Sequence, residues 1–121
     1  MKHLIVALAL AVVLALGRAP RAAGAHAAFI TSSPAPDSVV DALPDQLRIV
    51  FSSAVLADGT TVTVTAPDGV TIVSGDLTIT DNVVTTPLTS AGPGVYVVSW
   101  TNIAAEDGHP SADTFQFTLS G

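Results

Sequence analysis

Cysteine is absent from this chain of 121 residues, and the only methionine is the first residue. Without cysteine there is no disulfide and no thiolate chemistry, so the fold depends on core packing alone. A metal ion would have to be bound by nitrogen and oxygen atoms, since Met1 belongs to a segment that we predict is removed. Such ligands disfavour Cu(I).

Positive charge is scarce as well. The chain has four lysines and arginines in all, and three of them (Lys2, Arg18 and Arg21) lie in the first 25 residues. From residue 26 onward Arg48 stands against ten carboxylates, a formal charge of −9. Such a chain repels phosphate backbones and anionic lipid headgroups, which predicts that nucleic acid is not a partner. It attracts cations, although this acidity is also common in soluble secreted proteins.

Long apolar runs are missing beyond residue 16, and the one run that exists, from Leu4 to Leu16, is too short to span a bilayer comfortably. A basic start precedes it and the small residues Ala23-Gly24-Ala25 follow it. This arrangement predicts a signal peptide over residues 1–25, cleaved after Ala25. We therefore expect an exported protein of the periplasm, cell envelope or extracellular space, with residues 26–121 forming one monomeric domain.

The remaining chain alternates apolar and polar residues in short segments, and this period of two predicts strands. The apolar sets are Leu47, Ile49 and Phe51; Val62 and Val64; Leu77 and Ile79; Tyr96, Val98 and Trp100; and Phe115, Phe117 and Leu119. Turn sequences separate them, among them Pro67-Asp68-Gly69 and Gly92-Pro93-Gly94. The pattern predicts an all-β, antiparallel two-sheet sandwich of immunoglobulin-like type with about seven strands, and places Tyr96 and Trp100 in its core.

Two histidines remain beyond residue 25, and the first, His26, would begin the processed chain. A free α-amine and the ring Nδ1 of one histidine can chelate the same metal ion. The reference pKa of the amine is about 7.7–8.0, so a metal can displace its proton near neutral pH. A nitrogen-rich site of this kind suits Cu(II).

The second histidine, His109, lies two residues after Asp107 in the sequence Glu106-Asp107-Gly108-His109-Pro110. On an extended segment both side chains would point to the same side. They would complete a set of four ligands for one Cu(II) ion per processed chain: the His26 amine and imidazole, the His109 imidazole and the Asp107 carboxylate. Each half of this ligand set has an ordinary explanation. His26 could stand at the processed N-terminus by chance, and Asp107-Gly108-His109-Pro110 could be a polar turn. The occurrence of both features in one chain favours a metal site.

Several segments resemble the CopC family of exported copper-binding proteins, whose members are immunoglobulin-like or cupredoxin-like sandwiches. The resemblance is carried by His26-Ala27 with Ser32-Ser33-Pro34-Ala35 and Asp37-Ser38, by Leu47-Arg48-Ile49-Val50-Phe51-Ser52, by Gly94-Val95-Tyr96-Val97-Val98-Ser99-Trp100, and by Asp107-Gly108-His109-Pro110 with Phe115-Gln116-Phe117. It implies that His26, Asp107 and His109 bind Cu(II).

The sequence departs from this family in two places. Ser53 stands where many members have an acidic residue close to the copper, and Ala105-Glu106 precedes Asp107 where the family has a serine two residues before the aspartate. The methionine-rich loop that gives some members a Cu(I) site is absent. The serine at position 53 bears on copper affinity and geometry more than on the existence of the site, and Glu106 could compensate for the missing acid, although on an extended segment it would point away from Asp107.

The resemblance implies a copper carrier or buffer and no enzyme. In this role the protein would sequester Cu(II) or deliver it to a CopD-like membrane importer. Two other functions stay open from the sequence. One is a copper-dependent oxidative enzyme resembling the lytic polysaccharide monooxygenases, and the other is a metal-free surface module that would not respond to copper.

Overall fold

A computed structural model describes residues 26–72 and 76–121 of the chain. These residues form eight strands and no helix, so the all-β prediction is confirmed. The strands are β1 Phe29–Ser33, β2 Val39–Val40, β3 Gln46–Phe51, β4 Thr61–Thr65, β5 Thr78–Thr80, β6 Val83–Pro87, β7 Gly94–Ile103 and β8 Pro110–Leu119. The predicted signal peptide, residues 1–25, lies outside the described residues. No helix among those described has the length and apolarity that crossing a membrane requires.

The strands form two four-stranded sheets, in the orders β1-β3-β6-β5 and β2-β8-β7-β4. The predicted two-sheet sandwich is therefore confirmed, with one departure from a purely antiparallel arrangement. Strand β2 pairs in parallel with the end of β8, Val39 opposite Thr118 and Val40 opposite Leu119. With only two residues β2 is too short for an alternating pattern, which explains why the sequence indicated about seven strands.

The core lies between the two sheets and is built from the inward residues of the alternating segments. Leu47, Ile49 and Phe51 are all buried in β3, and Tyr96, Val98 and Trp100 are all buried in β7, as the period of two predicts. The Phe51 and Trp100 rings meet edge to face with their centroids 4.9 Å apart. Burial of this apolar surface is the main term that stabilises a domain without disulfides.

Tyr96 joins this core to a turn. Its ring stacks on Phe117 at a centroid distance of 5.2 Å, its hydroxyl donates to the Gly92 carbonyl at 2.7 Å, and the Ala91 amide donates to that hydroxyl at 3.0 Å. We expect Tyr96→Phe to keep the stacking but to lower the free energy of unfolding by about 1–3 kcal/mol, because two backbone groups lose their partner. Urea denaturation measures this change, and an unaltered midpoint would contradict it.

The long hairpin of β7 and β8 places its connecting loop at one end of the sandwich. The last pair of the hairpin is Ile103 with Pro110, and the loop is fastened to the segment after β3 by an isolated bridge between Val55 and Ala104. At the start of β1 Phe29 pairs with Phe51, the last residue of β3. Residues 26–28, which precede β1, therefore lie at the same end as the β7–β8 loop.

Candidate metal centre

Residues 26–28 lead into β1 and are hydrogen-bonded to both sheets. The Ser52 hydroxyl donates to the His26 carbonyl at 3.0 Å and accepts from the Ala28 amide at 2.9 Å. The Asn102 side-chain amide donates to the Ala27 carbonyl at 3.0 Å. Ala27 is fully buried, whereas His26 is exposed at the rim of the sandwich.

The β7–β8 loop holds Asp107 and His109 together by a turn. Asp107 Oδ1 accepts the His109 backbone N–H at 3.0 Å, and Asp107 Oδ2 lies 2.8 Å from His109 Nδ1. Gly108 has a φ of 72°, a conformation that glycine adopts without strain. The predicted extended segment is wrong for residues 105–107, which form a turn. The two side chains still meet, because the aspartate bonds to the backbone two residues ahead.

His26 and His109 face each other across this end of the sandwich. Their ring centroids are 4.7 Å apart and the ring planes are inclined by 42°. The structure thus brings the three predicted residues together from opposite ends of the chain. The side-chain oxygens of Asp107 are directed at His109.

Within the described residues, no group of three or more His, Cys, Asp or Glu side chains is already arranged to hold a metal ion. The fourth predicted donor is not a side chain. It is the α-amine of His26, which exists only when His26 is the first residue. The predicted ligand set therefore stays a prediction.

The position of one proton follows from the Asp107–His109 contact. A carboxylate only accepts hydrogen bonds, so Nδ1 of His109 carries the proton that lies between the two side chains. A metal ion held by Nδ1 and Oδ2 would take the place of this proton, and the ring and the carboxylate would both have to turn so that their lone pairs face the ion.

The pKa of Asp107 lies below its ordinary value of 3.8, first because the His109 backbone N–H donates to the carboxylate and next because the His109 ring does. Because the pKa is lowered in the folded state, these hydrogen bonds stabilise the fold at pH values above the ordinary carboxyl pKa. This stabilisation is lost as the pH falls through the lowered pKa. We expect the Asp107 carboxyl of the folded, metal-free protein to titrate below 3.8 in an NMR titration. The urea-unfolded chain provides the reference, and an equal midpoint in both states would contradict this expectation.

Ser53 is the neutral residue that stands where the resemblance implies an acid. It is half-buried and follows Ser52 directly. Glu106 is exposed in the loop turn.

Sequence reasoning missed the roles of Ser52 and Asn102. In the sequence Ser52 is only the last residue of a strand motif, and nothing there indicates its contact with His26. Asn102 continues the inward series of Tyr96, Val98 and Trp100, and it is 1% exposed. The sequence did contain one indication: a polar residue on an otherwise apolar inward face needs a buried hydrogen-bonding partner.

This fold and these residues define a class: a small β-sandwich that brings two histidines and an aspartate together at one end. The family model described as the CopC domain matches residues 29–120, well over half of the chain. The chain belongs to the CopC family, and the resemblance seen in the sequence is confirmed. The matched range contains Asp107 and His109 and begins after His26.

Among solved structures, the chain is similar to CopC from Methylosinus trichosporium OB3b. The two share 21% sequence identity with a TM-score of 0.72, over 78% of this chain and 94% of that chain. This likeness shows that the fold is shared. No curated protein matches the chain. Family and fold together identify a copper-related protein.

Proposed function

We propose that this protein binds one Cu(II) ion per processed chain outside the cytoplasm and sequesters or carries it. The single observation that supports this most is the meeting of His26 and His109, with ring centroids 4.7 Å apart and Asp107 hydrogen-bonded to His109. Membership of the CopC family supports copper as the metal.

The donor set suits Cu(II). Cleavage after Ala25 would turn the His26 nitrogen into an amine, and this amine and the His26 ring would supply two nitrogen ligands. His109 Nδ1 and Asp107 Oδ2 would supply the other two. Three nitrogens and one carboxylate oxygen match the ligands that Cu(II) prefers in a tetragonal site. Binding would release the proton that Asp107 and His109 share, since a ligand must be deprotonated.

Export and partners follow from the same proposal. The predicted signal peptide would carry the chain to the periplasm, cell envelope or extracellular space. These compartments are less reducing than the cytoplasm, so copper can persist there as Cu(II). There the domain would act as a monomer and without catalysis. A CopD-like membrane importer is the partner that would receive the copper ion.

A copper-dependent oxidative enzyme fits the site less well. Asp107 would occupy a coordination position that such an enzyme needs for oxygen. An enzyme of this kind would also be expected to have aromatic residues on its surface, where they could contact a polysaccharide. In the described part of the chain the exposed large apolar residues are all aliphatic, while Tyr96, Trp100 and Phe117 are buried. A metal-free surface module is the remaining alternative, and it predicts no response to copper.

The test is a Cu(II) titration of the protein that begins at His26, followed by electron paramagnetic resonance. We expect a single tetragonal, nitrogen-rich species that saturates at one copper per chain. Fluorescence of Trp100, the only tryptophan, provides a second readout, because bound Cu(II) quenches nearby emission. Weak or heterogeneous binding would contradict the proposal and would favour the metal-free module.

A further inference from the structure

Two polar side chains fix the backbone just after His26, one from each sheet. Ser52 follows β3 in the first sheet, and Asn102 belongs to β7 in the second. Between them they bond to His26, Ala27 and Ala28. We infer that Ser52 and Asn102 are positioning residues that hold His26 against His109 before any metal arrives, an inference that rests on the proposed function.

Ser52 makes three hydrogen bonds to this segment. Its hydroxyl donates to the His26 carbonyl and accepts from the Ala28 amide, while its own amide donates to the Ala28 carbonyl at 2.8 Å. The amide bond is ordinary strand pairing that any residue except proline would provide. The two hydroxyl bonds require serine or threonine, and one of them acts directly on the residue that carries the predicted chelate.

Asn102 is the more demanding member of the pair. Its Nδ2 donates to the Ala27 carbonyl, while its Oδ1 is buried and has no donor among the described residues. The orientation of the amide follows from the partner, because a carbonyl accepts and so must face the NH₂ group. Burying an unpaired carbonyl oxygen costs free energy that a valine at this position would avoid. The bond to Ala27 offsets part of this cost.

The His26 ring itself depends on this backbone. Its contact in the described structure is with the His109 ring at 4.7 Å, and the residue is exposed. The hydrogen bonds to its carbonyl and to the two residues after it therefore constrain where the ring lies. A ligand fixed in advance loses less conformational entropy on binding, which raises affinity.

The test compares Asn102→Val and Ser52→Ala with the parent, all beginning at His26. The control is Ser32→Ala, which removes a buried hydroxyl that donates to the Pro34 carbonyl at 2.8 Å without touching residues 26–28. Ser52→Thr keeps a hydroxyl and serves as the rescue. Ser52→Ala alters an exposed hydroxyl, so it is expected to fold even if Asn102→Val does not.

Three quantities are measured: the NMR order parameters of the Ala27 and Ala28 amides without metal, the Cu(II) dissociation constant by chelator competition, and the paramagnetic resonance spectrum. We expect both test variants to lower the order parameters, to weaken binding by about 10–100-fold, as removal of an outer-shell partner does, and to give more than one copper species. Ser32→Ala should match the parent, and Ser52→Thr should restore most of the affinity.

Two failures can be told apart. If the parent binds no copper, the proposed function is wrong. If the parent binds copper but Ser52→Ala and Asn102→Val match Ser32→Ala in order parameters, affinity and spectrum, the positioning role is wrong and the proposed function stands.

Discussion

A single residue left in front of His26 is expected to weaken Cu(II) binding by more than about 100-fold. Removal of a partner that only orients a metal ligand already costs about 10–100-fold in affinity, so loss of a ligand should cost more. An added residue converts the His26 amine into a peptide nitrogen. The reference pKa of such an amine is about 7.7–8.0, whereas a peptide N–H is far less acidic and gives up its proton only where the metal itself displaces it, at a cost in affinity.

The comparison needs three proteins: one that begins at Ala25, one that begins at His26, and one that begins at His26 and carries an extra alanine after Gly121. The third controls for added length at a place far from the chelate in sequence. We expect the last two to bind copper equally and all three to unfold at the same temperature. Equal copper affinity in the first two would show that the amine is not a ligand.

Much of the sandwich follows from side-chain alternation, because a sheet with one buried face imposes a period of two on each strand. This holds for Leu47, Ile49 and Phe51 in β3 and for the buried series of β7. Strand β2 could not be found in this way. Its two residues are a strand only because the end of β8 lies beside them, with the Thr118 amide donating to Ser38 and the Ser120 amide donating to Val40.

The candidate site divides in a similar way. His26, Asp107 and His109 were available from the sequence because their chemistry and position in the chain are unusual. The way Asp107 reaches His109 was not, since it depends on a turn in which the carboxylate bonds to the backbone. The bonds from Ser52 to His26 and from Asn102 to Ala27 join residues far apart in the chain. Only the packing of the two sheets brings such partners together.

His109→Ala is the substitution within the domain from which we expect the largest loss of copper affinity, again more than about 100-fold, because it removes a proposed ligand. It also removes the ring that Asp107 Oδ2 faces at 2.8 Å, which leaves that carboxylate free to turn away. Asp107→Asn should cost less, since it keeps both histidines and the backbone bond to residue 109 can still form.

His109→Ala should leave the fold intact. The His109 side chain is 58% exposed, so little buried surface is lost. The loop is closed by backbone bonds that do not involve the ring: the Ala104 amide donates to the His109 carbonyl and the Gly108 amide to the Ala104 carbonyl, both at 2.9 Å. Thermal unfolding of the metal-free variant should therefore match the parent.

Asp113→Ala provides the matched control, because Asp113 is exposed on the same strand that follows the loop and carries a negative charge. If copper affinity depended on the overall acidity of the domain, Asp113→Ala would weaken binding as Asp107→Asn does. If it depends on a built site, Asp113→Ala should bind like the parent while His109→Ala does not. Chelator competition at fixed ionic strength distinguishes the two, and equal affinities for His109→Ala and Asp113→Ala would remove His109 from the proposed ligand set.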